Sequence, residues 1–253
     1  MDDDLQLGLR IANDGATLAL TTFGQELAVT RKDDDSPVTA ADLAVEELIR
    51  ADLAEARPDD AVLGEEFGLV GSGDRVWIID PIDGTRSYAS GDPNWRVQIA
   101  LAVADRITVA VVISPALGIQ WWATKDGGAF EAPWPSTTAT PKRLAVSTVD
   151  HLTAATADAF PARDRPRLVP LNLAPRSPFS LADLVRGKLD VVLAECCAVW
   201  DHAPWILLVE EAGGRFTDVE GGRSGDLGGG LYSNAAVHDA MLDHLDYPPT
   251  GRR

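Results

Sequence analysis

The chain has 253 residues, of which 45% are apolar and 24% charged, as in a soluble globular protein of one or two domains. Its 22 Lys and Arg against 39 Asp and Glu give a net charge of −17. This charge repels phosphate backbones and anionic lipid, so we expect neither a nucleic-acid partner nor a membrane partner. The adjacent Cys196 and Cys197 cannot form a disulfide framework and suit a reducing compartment. Without a signal-peptide pattern or an apolar run near 18 residues, the sequence predicts a cytoplasmic protein.

The first half is predicted to contain two helices followed by a strand meander. Apolar residues at helical spacing predict helices at 2–22 and 39–56, and Thr39 with Asp42 resembles a capping box at the start of the second. β-rich runs bounded by turn residues predict strands at 61–63, 75–80, 95–104, 107–113 and 119–123.

A proline-rich stretch at 133–141 predicts a linker, and therefore domains at 1–140 and 141–253. The elements beyond it are predicted to alternate. The predicted strands are 144–147, 168–171, 189–193 and 215–219, and the predicted helices are 149–159, 178–186, 203–212 and 235–245. An antiparallel first half and an alternating second half predict a layered α/β or α+β architecture.

The sharpest motif is an apolar strand that runs into Asp80-Pro81-Ile82-Asp83-Gly84-Thr85. Pro81 is predicted to end the strand ladder, and Asp80 and Asp83 are spaced so that both can bind a hard cation. Oxygen ligands without imidazole or thiolate favour Mg²⁺, Mn²⁺ or Ca²⁺ over zinc. Gly84 and Thr85 are predicted to open a short helix whose N–H groups cradle a phosphate. In the alternative interpretation, Asp80 merely caps a turn.

Weaker signals accompany this motif. Gly64-Glu65-Glu66 follows a short apolar strand, and alone it is typical of a solvated acidic turn. Trp200-Asp201 precedes a helix, and alone Asp201 is typical of an N-cap. His238 is predicted to lie on the surface of the last helix.

Together these residues resemble the inositol monophosphatase family of metal-dependent, lithium-sensitive phosphatases. The similarity rests on Gly64-Glu65-Glu66, on Asp80 to Thr85, and on Trp200-Asp201 followed by Glu211-Ala212-Gly213-Gly214. The segment Ser36 to Asp42 also fits. The resemblance implies a five-layer αβαβα sandwich of the inositol monophosphatase and fructose-1,6-bisphosphatase type, and a homodimer.

The resemblance also implies roles for individual residues. Glu65, Asp80 and the carbonyl of Ile82 would hold a first metal ion, and Asp80, Asp83 and Asp201 a second, with Glu65 placing a third through water. Two or three Mg²⁺ are expected, with Mn²⁺ as a possible substitute. Thr85, paired with Asp42, would orient and help to deprotonate the attacking water. Asp42 is equally suited to cap its own helix. The residues implied in substrate binding are Asp83, Gly84, Thr85, Glu195 and Asp201.

The sequence therefore predicts a Mg²⁺-dependent phosphomonoesterase for a small polyol or amino-alcohol phosphate, of the inositol-1-phosphate or histidinol-phosphate type. A haloacid-dehalogenase-type phosphatase is disfavoured, because its second Asp comes two residues after the first and here it comes three later. Two alternatives stay open: a nucleotide 3′-phosphatase of the same family, and a non-catalytic binder of metal or phosphate ligands.

Overall fold

The computed structural model describes residues 3–25, 29–31, 37–136, 138–169, 171–195, 197–223 and 228–246. Its α-helices are α1 (Asp3–Thr22), α2 (Ala40–Ala56), α3 (Thr85–Ser90), α4 (Ser180–Val185), α5 (Val199–Glu211) and α6 (His238–His244). Two short 3₁₀ helices occupy Pro115–Leu117 and Ala162–Leu168. Ser36 and Cys196 lie outside the described residues. Within the described part of the chain, no helix is long and apolar enough to cross a membrane.

The strands form a small ribbon and two larger sheets. They are β1 (Val29–Arg31), β2 (Pro37–Thr39), β3 (Ala61–Gly64), β4 (Gly68–Val70), β5 (Arg75–Asp83), β6 (Arg96–Val103), β7 (Arg106–Ser114), β8 (Ile119–Thr124), β9 (Gly128–Pro133), β10 (Lys142–Arg143), β11 (Thr156–Phe160), β12 (Asn172–Leu173), β13 (Val191–Glu195), β14 (Gly214–Asp218) and β15 (Gly229–Asn234). The eight-stranded sheet has the order β10-β9-β8-β7-β6-β5-β3-β4, and the five-stranded sheet the order β12-β11-β13-β15-β14. The chain divides into a first unit, residues 1–124 and 130–142, and a second unit, residues 125–129 and 143–253.

In the first unit, α1 and α2 bury their apolar faces in one core with the central strands β5, β6 and β7. Small residues on α1 allow the two helices to approach closely. A Cβ on Gly15 would lie 3.1 Å from Ile49 Cδ1, so a larger residue at this crossing would require the Ile49 side chain to shift. The core contains Trp77, which is fully buried and donates its indole N–H to Asp60. This packing holds the strands that carry the acidic motif.

Strand β5 does not end at Pro81, contrary to the expectation from sequence. The ladder with β6 continues to Asp83, and its register shifts: Asp80 pairs with Gln98, whereas Asp83 pairs with Arg96. Two residues on β5, Pro81 and Ile82, thus face Val97 alone on β6, which is a bulge. Because proline has no N–H to contribute to a ladder, a bulge is where a strand can accommodate it. The bulge places Asp83 opposite Arg96.

The second unit is built around β13, which is parallel to β11 and antiparallel to β15. Helix α5 packs against β14 and β15 and is buried along most of its length. Asp190 precedes β13 and ties the unit together, because its carboxylate accepts the backbone N–H of Thr156 at 2.6 Å and lies 3.3 Å from the side-chain amide of Asn234.

Several predictions for the second half were wrong. Residues 149–159 contain most of the strand Thr156–Phe160 instead of a helix, and Ala157 and Ala159, two residues apart, pack into one apolar core. Residues 144–147 form no ladder, and Leu168 ends a 3₁₀ helix. Helix α4 begins at Ser180 and not at Pro178. The sequence predicted no strand at Gly229–Asn234, because the glycines at its start hid the pattern of β15.

His238 is fully buried, so its predicted surface position was wrong. Its Nδ1 lies 2.7 Å from Ser233 Oγ, and its Nε2 lies 2.7 Å from Thr217 Oγ1. Ser233 donates its own proton to the Asn234 carbonyl, so it accepts from Nδ1–H and leaves Nε2 to accept from Thr217. Burial of this neutral ring, helped by the charge of Arg215, lowers the pKa of His238 from 6.5 to about 4.

This buried histidine predicts a pH dependence of stability. Between pH 6.5 and about 4, His238 is protonated in the unfolded chain and neutral in the folded protein. The stability that neutral His238 contributes is complete above pH 6.5 and is lost as the pH falls to about 4, amounting to about 3 kcal/mol. In urea unfolding, His238→Gln should remove this part of the pH dependence, and His151→Gln, at an exposed side chain, should retain it. Identical profiles for His238→Gln and the parent protein would contradict the assignment.

Candidate active site

The carboxyl ends of two neighbouring parallel strands bring acidic residues to one edge of the larger sheet. Strands β3 and β5 are paired with Gly64 opposite Ile79, and the backbone N–H of Glu65 donates to the carbonyl of Ile79 at 3.2 Å. The next residues along the two strands are Glu65 and Asp80. Asp80 is 1% exposed, whereas Glu65 is half-buried. Burial of the Asp80 carboxylate is costly in free energy unless its charge is compensated.

Asp80 and Asp83 offer carboxylate oxygens that lie within 4.8 Å of one another, on either side of the bulge. Such a separation allows one cation to bind both carboxylates. Their donors are hard oxygens, and the backbone carbonyl of Ile82 lies between them in sequence, so the donor set suits Mg²⁺, Mn²⁺ or Ca²⁺. The residues present therefore fit the metal ion that the sequence predicts.

Thr85 and Asp42 form the second part of the site. The Thr85 hydroxyl lies 3.2 Å from Asp42 Oδ1 and 3.2 Å from the carbonyl of Ile82, so it can donate its proton to either acceptor. Thr85 is the first residue of α3, as predicted, and Gly84 precedes it with a φ of 89°. A Cβ on Gly84 would also lie 3.0 Å from the carbonyl oxygen of Asn94. Glycine is therefore required at this turn.

Asp42 caps its helix and contacts Thr85 at the same time, so the cap and the predicted pairing with Thr85 are compatible. Its Oδ2 accepts the backbone N–H of Thr39 at 2.9 Å and the Thr39 hydroxyl at 2.5 Å, which leaves Oδ1 for Thr85. Burial raises the pKa of the fully buried Asp42, although the hydrogen bonds from Thr39 and Thr85 oppose the shift. A carboxylate with a raised pKa is a better proton acceptor.

Sequence reasoning missed the residues that hold Asp83. Asp83 Oδ2 accepts the guanidinium Nε–H of Arg96 and the side-chain amide of Gln98, the latter at 3.0 Å. Both donors lie on β6, thirteen and fifteen residues after Asp83. The pairing depends on the register beyond the bulge, for which no local pattern gives a signal.

Glu46 was also missed, and it organises the turn that carries Glu65. Its carboxylate is fully buried and accepts the backbone N–H groups of Glu66 and Phe67 at 2.8 and 3.2 Å. Arg50 pairs with it at 2.8 Å. A Cβ on Gly64 would lie 2.0 Å from Glu46 Oε1, which explains the glycine there. The available signal was an acidic residue on the apolar stripe of α2.

In the second unit, the two candidate acids already have partners. Asp201 is the third residue of α5, and its Oδ2 accepts the backbone N–H of Ala198 at 2.8 Å, so it caps the helix start. The Glu195 carboxylate accepts hydrogen bonds from both terminal nitrogens of Arg167, at 2.5 and 3.2 Å. A substrate group that approached Glu195 would meet this ion pair and not an isolated carboxylate.

The loop before α4 is anchored by buried Asp158. Asp158 Oδ2 accepts the Ser180 hydroxyl at 2.6 Å, and Oδ1 contacts the guanidinium of Arg165. Ser177 accepts the backbone N–H of Phe179 at 3.1 Å and donates to Asp183 at 2.8 Å, so it stabilises the turn that precedes the helix. The side chain of Phe179 is buried.

The model of the inositol monophosphatase family matches residues 4–246. A glucose-1-phosphate thymidylyltransferase of Streptomyces griseus is 40% identical, over 96% of each chain. A histidinol-phosphatase of Streptomyces coelicolor is 36% identical, over 96% of this chain and 97% of its own. A histidinol-phosphatase of Mycobacterium tuberculosis is 37% identical, over 96% of this chain and 98% of its own.

Solved structures share the fold. The extragenic suppressor protein suhB of Bartonella henselae superimposes with a TM-score of 0.82 at 24% identity, covering 96% of this chain and 98% of its own. The Thermotoga maritima IMPase has a TM-score of 0.79 at 25% identity and covers 97% of both chains. The predicted α/β fold class of the inositol monophosphatase type is thereby confirmed.

The contacts of Glu46 predict a large effect on stability. Glu46→Ala removes the acceptor for two backbone amides and leaves the charge of Arg50 unpaired, so the free energy of unfolding should fall by about 3 kcal/mol. Glu46→Gln retains one acceptor oxygen, so its free energy of unfolding should fall by less than that of Glu46→Ala. Glu47→Ala, at the exposed neighbour, should stay within about 0.5 kcal/mol of the parent protein. Urea unfolding measures all three, and equal losses for Glu46→Ala and Glu47→Ala would refute the role.

Proposed function

This chain belongs to the inositol monophosphatase family, and we propose that it is a Mg²⁺-dependent phosphatase for a small polyol or amino-alcohol phosphate. As its family and its phosphatase relatives indicate, the protein is a phosphoric monoester hydrolase. The observation that carries the metal-dependent part of the proposal is the pair Asp80 and Asp83, with oxygens within 4.8 Å at the bulge of β5.

We assign the metal ligands as Glu65, Asp80, the carbonyl of Ile82, Asp83 and Asp201. The four carboxylates repel an anionic ester when they stand alone, so a phosphatase site built on them requires cations. When bound, Mg²⁺ would supply the positive charge that attracts the phosphoryl group, and would lower the pKa of water. Asp201 joins this set on the strength of its motif, Trp200-Asp201.

We assign to Thr85 and Asp42 the transfer of a proton from the attacking water. Thr85 Oγ1 accepts a proton from water while it passes its own to Asp42 Oδ1, 3.2 Å away. The raised pKa of Asp42 favours this transfer. A non-catalytic binder has no use for such a hydroxyl–carboxylate pair, which argues for hydrolysis. Gly84 and Thr85 present the backbone N–H groups to which we assign phosphate binding, together with Asp83 and Asp201.

The alcohol moiety is assigned to the second unit, where Glu195 lies in its pair with Arg167. The similarity to three histidinol-phosphatases, at 36–38% identity, favours an amino-alcohol phosphate, with inositol-1-phosphate as the related polyol ester. The nucleotide 3′-phosphatase alternative calls for extra cations, and the sequence places only Arg86 and Arg96 beside the motifs. A homodimer, lithium sensitivity and a cytoplasmic location stay predictions.

Activity across a panel of esters tests the substrate. The panel comprises inositol-1-phosphate, histidinol phosphate, fructose-1,6-bisphosphate and 3′-phosphoadenosine 5′-phosphate, ranked by kcat/KM, since discrimination between substrates lies in that ratio. A further assay with dTTP and glucose-1-phosphate tests the transfer named for the Streptomyces griseus relative. Thymidylyl transfer without phosphate release from any ester would reject the proposal.

Removal of the metal or of its ligands should abolish turnover. Chelation should stop phosphate release and Mg²⁺ should restore it, because the acidic site alone repels the ester. Asp83→Asn and Asp80→Asn should likewise lose activity and keep the fold by circular dichroism. Asp105→Asn is the matched control, because Asp105 is exposed in a turn with a φ of 61°, a conformation that Asn tolerates. Turnover undiminished by exhaustive chelation would contradict the metal assignment.

The role of Thr85 is tested by an isosteric change. Thr85→Val keeps the shape and removes the hydroxyl, so kcat should fall by roughly 10²–10³-fold with little change in KM. Thr85→Ser should retain most of the activity. The control is Thr108→Val, which removes a hydroxyl bonded to the Leu101 carbonyl on the same sheet. Steady-state phosphate release measures each variant, and a kcat for Thr85→Val equal to that of Thr108→Val would remove Thr85 from the mechanism.

A further inference from the structure

Two side chains of β6 hold one oxygen of Asp83. Arg96 and Gln98 are two residues apart, so they lie on the same face of the strand, and both donate to Asp83 Oδ2. Oδ1 is the oxygen that these donors leave for another ligand. We refer to Arg96 and Gln98 as the β6 clamp.

Gln98 is oriented by Asp83. Its side chain is fully buried, and its Nε2 donates to Asp83 at 3.0 Å. Its Oε1 is buried, and among the described residues no donor reaches that atom. A buried acceptor without a donor costs free energy, so the amide keeps this orientation for the sake of its bond to the carboxylate.

Arg96 adds charge to this arrangement. Its guanidinium and the Asp83 carboxylate each retain 17% side-chain exposure, so solvent screens the pair only in part. A guanidinium is always protonated near neutral pH, and its charge opposes the charge of any cation that binds the same carboxylate. The charge of Asp83 is thus partly neutralised before a cation binds.

We propose that Arg96 is a positioning residue that fixes Asp83 and weakens the binding of a divalent cation at the Asp80–Asp83 pair. This inference rests on the proposed function, because it takes Asp83 as a metal ligand. Weaker binding makes the occupancy of the site responsive to the concentration of free Mg²⁺, and the clamp keeps the carboxylate in place when no cation holds it.

The test is direct Mg²⁺ titration by calorimetry, with the full chain and without substrate. Arg96→Met removes the charge and keeps the length of the side chain, and it should tighten Mg²⁺ binding by roughly tenfold. Arg106→Met is the control, because it removes the same charge from the first residue of β7, which pairs with Val103 at the other end of β6 from Arg96. It should bind Mg²⁺ like the parent protein. Arg96→Lys retains the charge and should stay within about threefold, which covers the case in which Arg96→Met fails to fold.

A merely structural role for Arg96 predicts the opposite sign, since a damaged site binds its cation more weakly. Unchanged or weaker Mg²⁺ binding by folded Arg96→Met, with binding lost in Asp83→Asn, would overturn this inference and leave the proposed function standing. Parent-like binding by Asp83→Asn would instead overturn the metal assignment itself. Titration with inorganic phosphate completes the set: weaker phosphate binding with unchanged Mg²⁺ binding would make Arg96 a phosphate ligand and reject the proposal.

Discussion

Removal of acidic side chains from water is the constraint on which the candidate site depends. Asp42, Glu46 and Asp80 are between 0 and 1% exposed in the first unit. The burial of a charged carboxylate costs free energy unless hydrogen-bond donors or cations surround it. Asp42 accepts hydrogen bonds from Thr39 and Thr85. Glu46 accepts them from two backbone amides and forms an ion pair with Arg50. The same donors that make these burials tolerable hold the neighbouring site residues in place.

Helix α2 connects stability to the site geometry. Asp42 and Glu46 are one turn apart and therefore lie on one face of the helix. The first contacts the hydroxyl of Thr85, and the second anchors the turn of Glu65. A displacement of this helix would therefore move both segments together, which ties the arrangement of the site to the packing of the first-unit core.

Two of the acidic residues that the sequence singles out form ion pairs with neighbouring arginines. Asp83 contacts Arg96, and Glu195 pairs with Arg167. An ion pair changes what a carboxylate can bind, because part of its charge is already compensated. The binding properties of these two carboxylates therefore depend on the cations beside them as well as on their own charge.

The sequence by itself determined α1, α2, the strands β3 and β5 to β8, and the acidic motif with Thr85, because periodicity, caps and turn residues act over a few neighbouring positions. Of the candidate residues, it predicted the contact between Asp42 and Thr85. The metal-binding, catalytic and substrate-binding roles of all the candidate residues stay predictions. Only the tertiary structure decided the burial of Glu46 and His238, the strand at Thr156–Phe160 and the Arg96–Asp83 pair. These features depend on strand register and on partners distant in sequence, which no local pattern encodes.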